Sequence, residues 1–323
     1  MPPRLPLTRA VITAAGRGTR QYPATTSLQK EMIPLVDRDG LCKPTLQLIV
    51  EEALASGIEQ ILIVTAPGGE LALQRHFREL SEEELPAFAG KPELLAQSEL
   101  LGRMRHAISY ALQPEPLGFG DAVHCAAEFI GQQPFLLMLG DHIYLSDEER
   151  PCARQLLDLW DRYGCPISGV ARTPAEQLHL FGTVAGEPLS GVPGVYEARA
   201  LYEKPTPEYA REHLSTPGLP AETYLGFLGM HVFTPAIFDC LAEQRRANRR
   251  ERGEFQLTTA QEALRQRGRY LAAEVRGSRH DMGTPEGLVE TQLALALRSP
   301  LAVVVRAAAC ADARLGEAPS CES

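Results

Sequence analysis

The chain has 323 residues, of which 44% are hydrophobic and 23% are charged, so it is long enough for one or two domains and has the composition of an ordinary globular protein. Its formal net charge of −9 argues against a nucleic-acid-binding or anionic-membrane-binding surface, because such surfaces need an excess of Lys and Arg. Its apolar runs are too short for a secretory leader or a membrane span, so we expect a cytoplasmic protein with no membrane partner. Its seven cysteines include no CxxC pair, and we expect them to be reduced thiols.

The first strand–helix–strand pattern covers residues 10–66. Residues 10–15 form a short apolar run closed by glycine, which is typical of a buried strand. Residues 44–57 predict a helix with apolar side chains on one face and Gly57 as its stop signal. Residues 59–66 form the next strand-like run, so this order predicts a βαβ unit with parallel strands.

A polar stretch with helical periodicity covers residues 69–111. Residues 121–131 and 152–164 predict two further helices, and strands are predicted within residues 134–145 and 166–173. The alternation of strands and helices predicts an α/β fold with a doubly wound, mostly parallel sheet.

Turn residues become denser and strands shorter in the last part of the chain. Residues 195–210 alternate and end in prolines, which favours a small antiparallel excursion beside the main sheet. Residues 284–297 predict a late helix with Thr284 as its N-cap. Residues 301–323 are small and polar, so we expect a disordered tail after a single domain that covers residues 1–300.

Two glycines and three cations follow the first strand closely, at Gly16, Arg17, Gly18, Arg20 and Lys30. A dinucleotide fingerprint is excluded because Gln21 stands where its third glycine is needed, and the chain contains no P-loop run. Glycines allow backbone N–H groups to approach phosphate oxygens, and arginine and lysine side chains bind phosphate. Taken alone, these residues fit a phosphate-binding loop and also a plain surface turn with solvated arginines.

Residues 14–37, AAGRGTRQYPATTSLQKEMIPLVD, resemble the sugar-1-phosphate nucleotidylyltransferases, whose signature is a G-x-G-T-R loop followed by Pro-Ala-Thr and Lys-Glu-Met-Pro segments. Within that family the chain is most similar to the bacterial UTP–glucose-1-phosphate uridylyltransferases, also called UDP-glucose pyrophosphorylases. The resemblance extends over residues 9–297 and includes PLGFGDAVHCA, FLLMLGDH, YEKPTPE, GEFQLTTA and HDMGTPEG. It implies a Rossmann-like nucleotidyltransferase fold with a helical insertion.

The resemblance implies an enzyme that transfers the uridylyl group of UTP to glucose 1-phosphate, with Mg²⁺ as cofactor and UDP-glucose and pyrophosphate as products. Such an enzyme must hold two mutually repelling anions together for in-line attack and must neutralise the charge that shifts to the leaving group. One alternative is the same chemistry with dTTP or another sugar 1-phosphate. Another is a non-catalytic regulatory protein on this fold. We also expect a homo-oligomer.

The resemblance places the nucleotide-binding part at about residues 9–145. It implies that the glycine loop and Arg20 hold the β- and γ-phosphates, and that Lys30 reaches the phosphates from the following segment. Gln113 would read the base, since an amide offers one donor and one acceptor to a pyrimidine edge. The implied nucleotide-binding residues are Ala15, Gly16, Gly18, Thr19, Gln113 and Gly118.

The resemblance places the sugar-phosphate-binding part at about residues 166–285. It implies that Lys204 binds the phosphate of the sugar 1-phosphate and that Glu203 accepts hydrogen bonds from sugar hydroxyls. Gly182 and Gly229 would let the chain pass close to the sugar. The implied catalytic residues are Arg20, Lys30, Asp141 and Lys204.

Asp141 ends a buried strand, which is the usual ligand edge of an open α/β sheet, and carboxylate oxygen is the ligand that Mg²⁺ prefers. The resemblance implies that Asp281 is the second metal-binding carboxylate. His142 stands where the subgroup often has another acidic residue, and we expect a histidine that lies beside the metal without binding it. Thr259 replaces an aspartate of the subgroup, and we expect this change to affect how the sugar-binding side chains are held in place and which sugar is preferred. The pair at 230–231, Met-His, departs from the usual Arg-Tyr, which affects sugar recognition or oligomer contacts.

Overall fold

A nine-stranded mixed sheet dominates the computed structural model, which describes residues 6–316 and the side chains of residues 6–311. The strands are β1 (Arg9–Ala14), β2 (Pro34–Val36), β3 (Cys42–Pro44), β4 (Gln60–Thr65), β5 (Ile108–Leu112), β6 (Phe135–Leu139), β7 (His142–Ser146), β8 (Ile167–Pro174), β9 (Gly182–Pro188), β10 (Val195–Glu203), β11 (Thr223–Phe233), β12 (Leu271–Glu274) and β13 (Gly277–Asp281). The helices are α1 (Thr45–Ala55), α2 (Gly69–His76), α3 (Pro92–Ala107), α4 (Phe119–His124), α5 (Ala127–Ile130), α6 (Cys152–Tyr163), α7 (Pro207–His213), α8 (Ala236–Arg246), α9 (Leu257–Arg267), α10 (Pro285–Ala296) and α11 (Ala302–Gly316).

The described residues divide into two compact units. The first, here called the sheet unit, comprises residues 6–16, 50–140 and 144–279 and contains the large sheet. The second, here called the loop unit, comprises residues 17–49, 141–143 and 280–316. This division does not follow the linear boundaries of the nucleotide-binding and sugar-phosphate-binding parts that the sequence predicted.

The strand order of the large sheet is β5-β4-β1-β6-β11-β8-β12-β10-β9. β1 pairs in parallel with β4 and β6, and β4 pairs in parallel with β5, so the predicted α/β class is confirmed. β11 instead runs antiparallel to β6 and β8, and β10 runs antiparallel to β9 and β12, which makes the sheet mixed and not mostly parallel. β11 is buried along almost its whole length, and a strand buried on both faces shows the same apolar run in either direction.

The helices α4, α8 and α9 cover one face of the sheet through a large apolar core. Phe135 on β6 stacks on Phe238 of α8 with a ring-centroid distance of 5.3 Å, and Val11 and Leu257 belong to the same cluster. Burial of each such side chain contributes about 1.5–3 kcal/mol, so this core fixes the strands from which the polar residues of the sheet unit project.

Two segments differ from the sequence prediction. Residues 108–112, expected at the end of a helical stretch, form the edge strand β5, because no glycine or proline marks where α3 ends. Ala302–Gly316 form α11 where a disordered tail was expected, so that prediction is wrong for these residues. The segment is rich in alanine, the residue with the highest helix propensity. This propensity explains why the segment is helical although its residues are mostly small and several are polar. Residues 317–323 lie outside the described part of the chain.

The loop unit joins the β2–β3 hairpin to α10. The backbone N–H of Val36 donates to Gln292 Oε1 of α10 at 3.1 Å. α10 begins as predicted, with Pro285 as its first residue and the Thr284 hydroxyl accepting a hydrogen bond from the Gly287 N–H at 3.0 Å. Among the helices of residues 6–316, none combines the length and the apolarity that crossing a bilayer requires.

Four polar side chains form a buried hydrogen-bonded network in the sheet unit. Ser168 Oγ lies 2.7 Å from both His231 Nδ1 and Tyr270 Oη. Gln261 Nε2 lies 3.1 Å from His231 Nδ1 and donates to Tyr270 Oη at 2.9 Å. Burial lowers the pKa of His231 to about 3, so the imidazole is neutral in the folded protein near neutral pH. Met230, the neighbour of His231 in the Met-His pair that departs from the subgroup, is also buried. Neither Met230 nor His231 is therefore accessible for an oligomer contact.

This network predicts a stability that depends on pH. The folded pKa of His231 lies below its ordinary value of 6.5, so the unfolded state takes up a proton first as the pH falls. The free energy of unfolding should therefore decrease by roughly 2 kcal/mol from this residue alone between pH 6.5 and about pH 4.5. Above about pH 7.5 the residue should contribute no further change, because it is neutral in both states.

Urea unfolding of the wild type and of His231→Asn at several pH values measures this effect. The stability advantage of the wild type over His231→Asn should shrink as the pH falls, because asparagine does not titrate. The matched control is His106→Asn, which removes an exposed histidine and should follow the wild type. An advantage of constant size across the whole pH range would contradict a buried neutral imidazole.

Candidate active site

A buried ion pair lies at the centre of the loop unit. Lys30, on a short 3₁₀ turn, places its Nζ 2.5 Å from Asp141 Oδ2, and the two side chains are only 14% and 12% exposed. Burial alone would lower the pKa of Lys30, but the charge of the Asp141 carboxylate, together with that of Glu31 where Glu31 is ionised, outweighs burial and raises it. Burial alone would raise the pKa of Asp141, but the Lys30 ammonium holds it below its usual range. Both groups are therefore charged at neutral pH.

Glu31 lies directly behind this pair and is fully buried. Its Oε1 lies 3.6 Å from Lys30 Nζ. Burial raises the pKa of Glu31 to about 8, although the Lys30 charge acts against this rise. Glu31 is therefore protonated at neutral pH, and the positive charge of Lys30 is directed to Asp141. The sequence motif contains Glu31, but no local pattern indicates that its side chain is buried.

Asp281, at the end of β13, forms a second carboxylate beside Asp141. The ligand atoms of Asp141, His142 and Asp281 all lie within 4.8 Å of one another. Burial alone would raise the pKa of Asp281, but the His142 imidazole, the Gly283 N–H and the Arg20 charge hold it well below its usual range. Arg20 Nη1 lies 3.9 Å from Asp281 Oδ2, and the Gly283 N–H donates to Asp281 Oδ1 at 2.7 Å.

This cluster fits a divalent cation. Two ionised carboxylates supply the oxygen ligands that such ions prefer, and both are held in place before any ion binds. A Cβ at Gly283 would lie 2.9 Å from Asp281 Oδ1 and 3.0 Å from Asp141 Oδ2, so only glycine leaves the space between the carboxylates open. Asp141 and Asp281 are therefore brought together as the resemblance implied.

The glycine loop has a conformation that requires glycine. Gly18 has φ of 64°, and a Cβ there would lie 2.8 Å from Thr25 Cγ2. The Gly18 carbonyl accepts hydrogen bonds from the Gln21 N–H and the Thr25 hydroxyl, each at 3.0 Å. Arg20 and Thr19 are exposed, so both can reach a ligand. Ala15 and Gly16 follow the end of β1 directly.

Gln21 connects this loop to the carboxylates. Its buried Nε2 donates to the Met282 carbonyl at 2.5 Å, and the Met282 N–H donates to the Asp141 carbonyl at 2.8 Å. The loop and both metal-binding candidates are thereby joined by hydrogen bonds within the loop unit. Sequence reasoning missed this contact, because Gln21 and Met282 lie in two motifs that are far apart in the chain.

In the sheet unit, Gln113 and Gly118 lie together. The buried Gln113 Nε2 donates to the Gly118 carbonyl at 3.0 Å and to Asp121 Oδ2 at 2.9 Å. These bonds fix the amide, and its Oε1 is then an acceptor for a ligand. Gly118 has φ of 118°, and a Cβ there would lie 2.8 Å from the Phe255 backbone nitrogen, so this position also requires glycine.

The predicted sugar-phosphate residues Gly182, Glu203 and Lys204 form another group in the sheet unit. Gly182 and Glu203 are register partners on β9 and β10, and Lys204 Nζ lies 3.8 Å from Glu203 Oε1. The hydroxyl of the buried Thr258 donates a hydrogen bond to Glu203 Oε2 at 2.5 Å. A Cβ at Gly182 would lie 2.6 Å from Phe227 Cδ2, so the glycine permits close packing at this point.

The neighbouring Thr259 and the predicted Gly229 have other partners. The Thr259 hydroxyl donates to Glu251 Oε1 at 2.5 Å, whereas it is the Thr258 hydroxyl that donates to Glu203. Gly229 has φ of 87°, and its carbonyl accepts a hydrogen bond from the Tyr144 hydroxyl at 3.0 Å. Thr258 was not singled out from the sequence, because two adjacent threonines cannot be distinguished without knowing which one faces Glu203.

A family model described as nucleotidyl transferase matches residues 9–297 of the chain. The UTP–glucose-1-phosphate uridylyltransferase of Bacillus subtilis is 38% identical over 295 residues, which cover 90% of this chain and 91% of that protein. The protein of the same name from Streptococcus pneumoniae is 37% identical over 295 residues, which again cover 90% of this chain and 91% of that protein.

Solved structures give the same picture of the fold. A crystal structure of UDP-glucose pyrophosphorylase complexed with UDP-glucose matches with a TM-score of 0.72 and 29% identity over 89% of this chain and 98% of that chain. A UTP-bound UGPase from Acinetobacter baumannii matches with a TM-score of 0.74 over 91% of this chain and 95% of that chain. Its sequence identity of 24% supports a shared fold alone.

The buried ion pair predicts a large stability loss for Lys30→Met. The substitution leaves Asp141 charged and buried without its partner, which costs about 3–5 kcal/mol. Urea unfolding at neutral pH measures the loss. The matched control is Arg38→Met, which removes a cation that is mostly exposed and lies 3.9 Å from Asp37, and it should cost at most about 1 kcal/mol. Equal losses in the two variants would contradict the burial of a charged pair.

Proposed function

The chain belongs to the nucleotidyl transferase family, and we propose that it transfers the uridylyl group of UTP to glucose 1-phosphate. The predicted family and the predicted enzyme class are confirmed by relatives that match along 90% of the chain and carry the name UTP–glucose-1-phosphate uridylyltransferase. The single observation that carries the proposal is the cluster of Lys30, Asp141 and Asp281, which has the charges that phosphoryl chemistry needs.

The reaction forms one phosphorus–oxygen bond and breaks another. A phosphate oxygen of the sugar 1-phosphate attacks the α-phosphorus of UTP, and the bond from that phosphorus to the bridging oxygen breaks. Pyrophosphate leaves with the electron pair, and no covalent enzyme intermediate is needed. The protein must therefore position two anions and stabilise the charge that develops on pyrophosphate.

The loop unit would bind the triphosphate. Backbone N–H groups of the glycine loop would approach an anion at close range only where no side chain intervenes, and Gly18, whose φ of 64° favours glycine, has no side chain there. Arg20 would bind the β- and γ-phosphates, and Lys30 would move part of its contact from Asp141 to a phosphate oxygen. Thr19 would complete the contacts of the loop unit, and Ala15 and Gly16, which belong to the sheet unit, would add backbone contacts.

Asp141 and Asp281 would hold Mg²⁺, the cofactor that we propose. When bound, the ion supplies positive charge that offsets the charge developing on the leaving group. The carboxylates must be ionised to bind it, and the low pKa values of Asp141 and Asp281 meet this requirement.

The sheet unit would bind the base and the sugar phosphate. Gln113 Oε1 would accept a hydrogen bond from the uracil ring, because Gln113 Nε2 is already held by Gly118 and Asp121. Lys204 would bind the phosphate of glucose 1-phosphate. Glu203 would accept hydrogen bonds from sugar hydroxyls, and Thr258 would fix its orientation.

We further propose a cytoplasmic homo-oligomer with the nucleotide-binding part at residues 9–145 and the sugar-phosphate-binding part at residues 166–285. An apolar stripe on α10 and its C-cap residue supports self-association, since Val289, Leu293 and the C-cap Leu297 are each at least 45% exposed and recur every four residues.

A pyrophosphate-release assay over four nucleoside triphosphates and a panel of sugar 1-phosphates tests the proposed function. We expect the highest kcat/KM with UTP and glucose 1-phosphate, and a loss in turnover of about 100-fold or more in Asp141→Asn, because the charge that holds the metal is removed. A preference for dTTP or another sugar would establish the same chemistry with another substrate. A folded protein that releases no pyrophosphate with any pair would favour a regulatory role.

The contact between Thr258 and Glu203 predicts a substrate-specific defect. Thr258→Val preserves side-chain volume but removes the donor to Glu203, and a hydrogen bond to a charged group contributes about 1.5–3 kcal/mol. The KM for glucose 1-phosphate should rise about tenfold or more, while the KM for UTP should stay unchanged. Steady-state kinetics with each substrate varied separately measures both constants.

The adjacent threonine provides the matched control. Thr259→Val removes a donor to Glu251 and should leave the KM for glucose 1-phosphate within about twofold of the wild type, since its hydroxyl donates to Glu251 and not to Glu203. Equal KM changes in the two variants would show that Thr258 has no special part in orienting Glu203.

A further inference from the structure

We propose that His142 is a third protein ligand of the metal ion, and that its ring nitrogen shifts the preference of this site from Mg²⁺ toward Mn²⁺. The proposal rests on the proposed function, which places a divalent ion at Asp141 and Asp281. It differs from the expectation from sequence, where His142 lies beside the metal without binding it.

The distances between the donor atoms of Asp141, His142 and Asp281 are short enough for all three to bind one ion. His142 Nε2 lies 3.7 Å from Asp281 Oδ1, and the ligand atoms of Asp141, His142 and Asp281 all lie within 4.8 Å of one another. Two atoms bound to one ion at about 2.1 Å are roughly 3 Å apart when adjacent and roughly 4.2 Å apart when opposite. Small side-chain rotations therefore bring all three atoms onto a common ion.

The position of His142 in the chain holds it at this site. His142 follows Asp141 directly and begins β7, which pairs with β13, the strand that ends at Asp281. Its side chain is only 10% exposed, so it is already ordered beside the carboxylates. An ordered ligand loses little conformational entropy when an ion binds.

Both carboxylates keep their own partners beside the imidazole. His142 Nε2 lies 3.7 Å from Asp281 Oδ1. Asp281 Oδ1 already accepts a hydrogen bond from the Gly283 N–H at 2.7 Å, and Asp141 Oδ2 is held by Lys30 at 2.5 Å. An ion between these side chains would use the imidazole nitrogen directly.

The chemistry of the donors sets the metal preference. Mg²⁺ strongly prefers oxygen ligands, whereas imidazole nitrogen suits first-row transition metals. Mn²⁺ binds oxygen as well as nitrogen, so it accepts the two carboxylates and the imidazole together. Lys30 and Arg20 already balance the charges of the two carboxylates. Imidazole binds a metal as an uncharged ligand, so His142 would add a donor atom without adding negative charge.

Pulsed electron paramagnetic resonance of the full-length protein with MnCl₂, alone and with pyrophosphate, tests direct ligation. Pyrophosphate contains no nitrogen, so a ¹⁴N coupling typical of bound imidazole must come from the protein. We expect this coupling in the wild type and its loss in His142→Asp and His142→Asn. The matched control is His106→Asn, an exposed histidine on α3, which should keep the coupling.

Calorimetric titration with Mn²⁺ and with Mg²⁺ gives a second measure. His142→Asp should lower the ratio of Mn²⁺ affinity to Mg²⁺ affinity about tenfold or more, because it replaces the nitrogen by oxygen and keeps the ligand count. Urea unfolding of each variant checks that it remains folded, and His142→Asn gives the comparison without a replacement ligand.

The outcomes separate this inference from the proposed function. Absence of imidazole coupling in the wild type, absence of Mn²⁺ binding, or an unchanged affinity ratio in a folded His142→Asp would overturn ligation by His142, whether or not the wild type releases pyrophosphate. Imidazole coupling in a wild type that releases no pyrophosphate would support His142 as a ligand and would count against the proposed transferase activity.

Discussion

The buried ion pair between Lys30 and Asp141 is the constraint on which the loop unit depends. Two charges that are almost removed from water are tolerable only as a close pair, and the 2.5 Å contact provides this. Glu31 adds to the constraint, since a second carboxylate in the same buried space is stable only in its protonated form. Asp141 therefore remains anionic and fixed, which the proposed metal site requires.

The two units stabilise anionic side chains by different means. In the loop unit, cations balance the carboxylates, and Gln21 and Gly283 hold the backbone around them. In the sheet unit, Glu203 is oriented mainly by the hydroxyl of Thr258, and the nearby Lys204 is more exposed. The first arrangement suits charge neutralisation, and the second suits recognition of hydroxyl groups. Both follow from burial, because a buried polar group must find a partner.

Local features of the sequence predicted local structure well. The β1–α1–β4 order, the N-cap at Thr284 and the position of Asp141 after a buried strand all follow from short patterns of apolar, capping and glycine residues. Long-range features were not predictable in this way. The antiparallel direction of β11, the contact of Gln21 with Met282 and the burial of His231 depend on partners far away in the chain. The pairing of Asp141 with Asp281 came from family resemblance, because no spacing rule connects residues so far apart.

A crystal structure of the protein with UTP and a divalent cation tests the central claim most directly, namely that the fixed charges of the loop unit bind the triphosphate and its metal. The account predicts that the triphosphate lies against the Gly18 loop, with the ion on Asp141 and Asp281 and with Lys30 Nζ in contact with a phosphate oxygen. A triphosphate bound away from Gly18, or an ion that contacts neither aspartate, would contradict it.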